Sequence, residues 1–190
     1  MSAAVPEPTH TPESLLKLAG GGKGFKLVKG RLVKKGTGSF ASWVAARILQ
    51  LLATLGQDQG LGWALESGAS YQCFRNHPRK VRRPDVSFIR RGRLPEERIP
   101  RGHVRIAPDL AVEVLSPNDT AYEIDLKVEE YLRAGVPLVW RVNPELRAVH
   151  VYRADGTVER LGDEDELTAP ELIPDLRCRV GALFTLPEPR

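Results

Sequence analysis

A single acidic residue lies in the middle of the most strand-like segment of this chain. Residues 110–115 read Leu-Ala-Val-Glu-Val-Leu and are apolar apart from Glu113. A charge in an apolar strand is costly unless it is paired, hydrogen-bonded or bound to a metal. Because side chains alternate between the two faces of a strand, Glu113 shares a face with Ala111 and Leu115. The pattern favours a carboxylate with a specific role; the alternative is a strand with one solvent-exposed face.

A second carboxylate, Asp85, stands at the entrance to another predicted strand, residues 86–89. Two strands that each carry a carboxylate can bring both groups to one divalent cation, and Mg²⁺ needs few protein oxygens beside water and substrate phosphate. The Pro84-Asp85 pair alone is weak support, because a Pro-Asp pair also occurs at Pro108-Asp109, where a turn explains it.

A lysine on the next helix favours a shared site. The helix is predicted to start after Thr120, and Lys127 shares a face with Ile124, Val128 and Tyr131. That face should be buried, so the Lys127 ammonium would find the carboxylates as partners and could orient water or stabilise charge on a phosphate. The alternative is a lysine whose stem packs while its ammonium reaches solvent.

The remaining periodicity predicts an α+β fold with a central mixed β-sheet between helices, of one domain. The predicted helices span residues 39–55 and 120–134, and Gly135 ends the second. The predicted strands lie in a hairpin over residues 25–33 and at residues 62–67, 70–74, 86–89, 110–115, 138–142, 148–152 and 157–161.

Length and composition place the chain among ordinary globular proteins. Its 190 residues suit a single domain at residues 25–185 after a mobile tail at residues 1–24, which is rich in proline and glycine. No apolar stretch approaches the roughly 18 residues that span a bilayer, so we expect no membrane partner and a cytoplasmic location. Cys73 and Cys178 do not have the close spacing of metal-binding cysteines, so we expect both to be reduced structural thiols.

Charge is unevenly distributed along the chain. The net charge is +4, and residues 14–57 contain basic side chains but neither Asp nor Glu. Residues 75–105 are also strongly basic, whereas residues 155–175 are acidic. Such asymmetry suits a polyanionic partner, although basic stretches are also common on solvated surfaces.

Several motifs resemble those of the Uma-two (Uma2) family of restriction endonuclease-like proteins, a branch of the PD-(D/E)XK nuclease superfamily. The matching residues run from about residue 25 to residue 184, and the stretch from 108 to 142 is the most specific. They are Arg83-Pro84-Asp85-Val86, residues 108–117, residues 127–136, residues 139–144, residues 149–152, Leu172-Ile173-Pro174 and Leu183-Phe184.

The resemblance implies a restriction endonuclease-like core and hydrolysis of DNA phosphodiester bonds by a metal-activated water. It implies Asp85 and Glu113 as ligands of Mg²⁺ or Mn²⁺, and Asp85, Glu113 and Lys127 as catalytic residues. The superfamily lysine often lies two residues after the acid, where this chain has Leu115, and Lys127 fits a lysine supplied by the following helix. Glu66 is a possible additional acidic member. We also expect a homodimer, because cleavage of both strands commonly uses two sites.

Two departures from the family pattern keep a second function open. The acidic residues usual around the first hairpin are replaced by a basic stretch that includes Lys26 and Arg31, and a histidine usual before the first long helix is replaced within Ser39-Phe40-Ala41. A catalytically inactive nuclease-fold domain, acting as a nucleic-acid-binding or regulatory module, is therefore the alternative. A structural domain whose acids merely pair with basic residues is a third possibility.

Overall fold

A six-stranded mixed sheet forms the centre of the protein. The computed structural model describes residues 10–28, 30–34, 38–117 and 119–188. The helices are α1 (Pro12–Lys17), α2 (Ser39–Leu52) and α3 (Ala121–Arg133), and the strands are β1 (Phe25–Val28), β2 (Arg31–Lys34), β3 (Gly62–Glu66), β4 (Val86–Arg90), β5 (Leu110–Val114), β6 (Leu138–Asn143), β7 (Ala148–Arg153), β8 (Val158–Leu161), β9 (Glu166–Ala169) and β10 (Ile173–Arg179). The sheet order is β3-β4-β5-β6-β7-β8. Strands β5 and β6, which α3 connects, are parallel, and the other neighbours are antiparallel.

The two faces of the sheet are buried under different helices. Leu110, Val112 and Val114 of β5 pack in a core with α2, whereas Ala111 packs in a second core with α3. This alternation follows from the two-residue period of a strand. The residues of α2 in the first core are Ala41, Val44, Ile48 and Leu52. The predicted α+β class, with a mixed sheet between helices, is confirmed.

Most predicted elements form within a few residues of their predicted positions, but one predicted strand is absent and one hairpin was missed. Residues 70–74 form no strand, because Tyr71 makes only isolated bridges to Arg82 and Val104 and these partners are themselves irregular. The hairpin of β9 and β10 was not predicted. Its residues include several charged side chains that mask the apolar alternation, and its pairing shifts register between Ile173 and Arg177.

The N-terminal segment contains structure that the sequence did not predict. Residues 1–9 of the predicted tail lie outside the described residues, but α1 follows directly, and the Thr11 side chain accepts a hydrogen bond from the Ser14 amide at its start. Leu15 of α1 is fully buried with Leu27 and Val81. Packed structure therefore begins before residue 25. So short a helix depends on this tertiary contact, which local sequence does not reveal.

Helix α2 continues as a π-helical turn over Ala53–Gln57. Within the described part of the chain, the 19-residue run Ser39–Gln57 is the one helix long and apolar enough to cross a membrane, by length and composition. The expectation that no apolar stretch approaches about 18 residues did not foresee this helix, in which a few polar residues interrupt the apolar ones. Its apolar stripe packs on the sheet. The core helix of a folded domain passes the same test.

Candidate active site

Glu113 is buried on the face of the sheet that α3 covers. It lies in β5 beside Arg141 of the parallel strand β6, and only 2% of its surface is exposed. Two side chains of α3 donate hydrogen bonds to its carboxylate: Lys127 Nζ lies 2.8 Å from Oε2, and the Tyr131 hydroxyl lies 2.8 Å from Oε1. Both carboxylate oxygens of Glu113 therefore have a partner on α3, as the burial of a charge requires.

The ends of α3 determine where Lys127 and Tyr131 lie. The Thr120 side chain caps the helix by accepting a hydrogen bond from the Glu123 amide, and Gly135 follows the helix with a φ of +91°. Lys127 and Tyr131 are one turn apart, so they lie on the same face. The predicted buried face, with Ile124 and Val128, is confirmed.

Asp85 lies next to Glu113 through the pairing of β4 with β5. Its backbone amide donates to Val112 O, and its Oδ2 accepts a hydrogen bond of 2.8 Å from the Val114 amide. Its carboxylate therefore lies against the backbone on the C-terminal side of Glu113. The negative charges of both acids act on Lys127 and on Tyr131. The structure thus brings Asp85, Glu113 and Lys127 together.

The surrounding charges keep Lys127 protonated. Burial lowers the pKa of Lys127, but the charge and hydrogen bond of Glu113 raise it, helped by Asp119 and Asp85, and the net pKa lies above its usual value. Burial and the neighbouring Glu113 raise the pKa of Tyr131 well above its usual value. Near neutral pH, Lys127 is a cation and Tyr131 is a neutral hydrogen-bond donor.

A second buried ion cluster adjoins this site on α3. Glu130 pairs with Lys80 at 2.5 Å and with Arg82 Nη2 at 2.5 Å, and both basic residues are about 5% exposed. Arg82 also influences the pKa of Tyr131. The cluster ties residues 80–82 to α3 and brings Arg82 close enough to Tyr131 for its positive charge to lower the pKa of that hydroxyl.

Glu66 lies near Asp85, but its side chain makes different contacts. It pairs with Val86 in the sheet and, with Asp85, lines a cavity of about 240 Å³ beneath α2. Its side chain is 52% exposed and lies 3.6 Å from Lys23. Burial raises the pKa of Glu66, but hydrogen bonds from Gly68 and Ser67, together with the charge of Lys23, lower it, and the net shift is downward. Its possible role as an additional acidic member stays a prediction.

The donor set fits a hydrated divalent cation held by two carboxylates. Carboxylate oxygens are the ligands that Mg²⁺ prefers, and Mg²⁺ keeps several waters when the protein supplies few ligands. Among the described residues there is no cluster of three or more His, Cys, Asp or Glu side chains able to hold a metal. A metal at this point would therefore have at most two protein carboxylates as ligands, and Asp85 and Glu113 are the pair that could supply them. The free thiol Cys73 packs in the α3-side core, where burial raises its pKa to about 11.

Two contributors to the site had no assigned role in the sequence. Tyr131 was predicted to be buried beside Lys127, but its hydrogen bond to Glu113 was not predicted. The pairing of Glu130 with Lys80 and Arg82 was also missed. A signal existed for Tyr131, because a hydroxyl on the buried face of a helix needs a partner. Nothing local indicates the partners of Glu130, which are 48 and 50 residues away.

The family match and the shared fold place this chain among nuclease-fold proteins. The chain belongs to the Uma2 family, described as "Putative restriction endonuclease", whose model matches residues 12–181. A solved structure with the same fold is a "putative nuclease belonging to DUF820" from Anabaena variabilis, with a TM-score of 0.76 and 21% identity over 92% of this chain and 97% of that chain. Comparison with curated proteins finds no match.

Proposed function

We propose that the protein is a Mg²⁺- or Mn²⁺-dependent endonuclease that hydrolyses DNA phosphodiester bonds. Asp85 and Glu113 would hold the metal, and Lys127 would act on the phosphate or the attacking water. The observation that carries the proposal is the convergence of these three side chains beside one end of β5, in a chain of this family. Buried ionisable groups that converge at one point, here with the pKa of Lys127 raised by its acidic neighbours, mark a candidate site.

The chain's own residues divide the work between positioning and charge stabilisation. When bound, the metal would supply a water of lowered pKa and would neutralise charge on the phosphate. Tyr131 orients Glu113 through its hydrogen bond, and the Val114 amide orients Asp85. Because its pKa is raised, Lys127 stays protonated, so it acts by stabilising negative charge or holding water and does not act as a general base.

Loss of supercoiled plasmid DNA tests the proposal, and nicking here means cleavage of the plasmid to either nicked circles or linear DNA. With Mg²⁺ or Mn²⁺ present, Asp85→Asn, Glu113→Gln and Lys127→Met should each lower the nicking rate by at least roughly a hundredfold, because each removes a metal ligand or the charge-stabilising cation. EDTA should stop nicking by the wild type. Asp125→Asn is the matched control, because this acid is on α3 but its side chain is 66% exposed and pairs with Arg141.

Circular dichroism of each variant separates lost chemistry from lost fold, since removing one partner of a buried ion pair also destabilises a protein. The proposal is wrong if folded Asp85, Glu113 and Lys127 variants nick as fast as the wild type.

The alternative function is a non-catalytic nucleic-acid-binding or regulatory module. The observation that favours it is the basic character of residues 14–57, which lack acidic side chains. Such a module would bind DNA in a salt-sensitive way without divalent metal, and the Asp85 and Glu113 variants would bind as the wild type does. Absence of binding at low salt would exclude it.

A purely structural role for the two acids makes a different prediction. Calorimetric titration with Mn²⁺ should then give no heat that depends on Asp85 and Glu113. Binding that disappears in both variants would instead indicate a metal site, even if no DNA is cleaved.

A further inference from the structure

The first hairpin is attached to the chain beside the candidate site. Leu27 of β1 and Val81 exchange two backbone hydrogen bonds, of 3.1 and 3.0 Å. The Arg83 guanidinium donates to the carbonyl oxygens of Phe25 and Gly21 at 3.0 and 2.8 Å. The position of β1 relative to residues 81–83 is therefore set by backbone contacts on both sides of Lys26.

This register places Lys26 on the α3 side. An antiparallel bridge between Leu27 and Val81 puts Lys26 opposite Arg82, with their side chains on one face. Leu27 and Val81 point to the opposite face, into the small core with Leu15. Since Arg82 bonds to Glu130 of α3, the Lys26 side chain lies on the side that also carries Lys127, one turn before Glu130.

The electrostatics of Lys26 agree with this position. Burial lowers the pKa of Lys26, the positive charges of Lys127 and Arg82 lower it further, and Glu113 and Glu123 only partly offset these effects. Lys26 is thus close enough to Lys127 and Glu113 for their charges to act on it.

Lys26 differs from its basic neighbours in its partners. Lys127 is paired with Glu113, while Lys80 and Arg82 are paired with Glu130. Within the described ranges, the Lys26 ammonium makes neither an ion pair nor a side-chain hydrogen bond. A half-buried cation beside other cations is unfavourable without an anion, and a phosphate would supply that anion.

We propose that Lys26, together with Lys127, forms a phosphate-binding subsite that receives the DNA backbone at the candidate site. This inference rests on the proposed function, since it assigns the subsite to the same phosphodiester substrate. Lys26 supplies its positive charge from β1 and Lys127 supplies its charge from α3. Each ammonium acts on the phosphate as a point charge. The basic hairpin is then part of the substrate-binding surface and is no sign of an inactive copy.

The experiment measures DNA binding and nicking separately. A short fluorescein-labelled duplex is titrated by anisotropy at several salt concentrations with Ca²⁺ replacing Mg²⁺. Lys26→Gln should weaken binding roughly tenfold, as loss of a charge-assisted contact predicts. It should also reduce the salt slope by about one. In the nicking assay it should raise KM and leave kcat nearly unchanged. Lys26→Arg should restore both.

Lys17→Gln is the matched control, because it removes one exposed positive charge from the same N-terminal region. Its binding should stay within about twofold of wild type, since an exposed charge is screened by salt. Lys26→Gln should melt no lower than the wild type, because burial and neighbouring cations disfavour this charge in the folded protein. If Lys26 had a structural role, Lys26→Gln would instead lower the melting temperature.

The outcomes separate the two proposals. If the wild type nicks DNA but Lys26→Gln binds like Lys17→Gln, the subsite is overturned and the endonuclease stands. If the wild type does not nick but Lys26→Gln alone loses affinity, the subsite stands and the endonuclease fails. The subsite is also overturned if the wild type does not bind the duplex, or if Lys26→Gln melts early and Lys26→Arg does not restore binding.

Discussion

At the scale of single residues, the site depends on how a buried carboxylate is stabilised. Glu113 lies almost fully inside the protein, and Lys127 and Tyr131 each donate a hydrogen bond of 2.8 Å to it. If a donor is removed, the buried acceptor is left without a partner. Its desolvation then costs free energy, because water cannot reach it to replace the lost hydrogen bond. Tyr131 should therefore support both the stability of the protein and the orientation of Glu113.

Replacing Tyr131 with phenylalanine tests this role. Tyr131→Phe should lower the free energy of unfolding by about 1–3 kcal/mol, because the Glu113 carboxylate loses a buried donor while the aromatic ring remains. Urea unfolding followed by fluorescence measures the change. Tyr122→Phe is the control, since Tyr122 lies on the same helix with 76% of its surface exposed. Equal stability of the two variants would show that the Tyr131 hydroxyl contributes nothing.

At the scale of elements, the π-helical turn after α2, strand β3 and strand β4 approach closely around one aromatic ring. The ring of Phe88 in β4 lies against two glycines, Gly56 of the π-helical turn and Gly62 at the start of β3. A Cβ atom at Gly56 would lie 2.8 Å from the Phe88 ring, and one at Gly62 would lie 2.7 Å from it. Gly62 thus has a packing role at the start of β3.

We expect Gly62→Ala to destabilise the protein by roughly 1–3 kcal/mol, because the added methyl group overpacks against the Phe88 ring and the Ile89 carbonyl. A lower melting temperature in differential scanning calorimetry would show this. Gly102→Ala is the control, since a Cβ there would meet its nearest neighbour, Leu16, at an ordinary 3.5 Å. If both variants melt at the same temperature as the wild type, the close packing around Phe88 does not determine stability.

At the scale of the whole molecule, the described chain brings Asp85 and Glu113 together at one end of a single sheet. Cutting both strands of a duplex requires either two such sites or two successive events at one site. We therefore expect a homodimer, the closed two-fold arrangement most common among oligomers.

Light scattering after size-exclusion chromatography should give twice the mass of the chain, and a dimer bound to plasmid should yield linear product with little accumulation of nicked circles. A monomer at every concentration, with nicked circles that accumulate before linear DNA, would contradict the expected dimer.

The local periodicity of the sequence determined part of this protein's structure. The two-residue period placed Glu113 on the opposite face from Val112, and the helical period placed Lys127 with Tyr131 on the buried face of α3. The bounds of α3 followed from Thr120 and Gly135, whose preferences act on neighbouring backbone. These features depend on residues close in sequence, so the sequence alone predicts them.

Tertiary structure decided the contacts that join distant segments. The bond of Asp85 to the Val114 amide depends on how β4 pairs with β5, and the bond of Tyr131 to Glu113 depends on how α3 crosses the sheet. The same holds for the burial of α1 and the place of Lys26. Strand register and helix docking come from packing over the whole domain, because many alternative pairings satisfy the same local pattern.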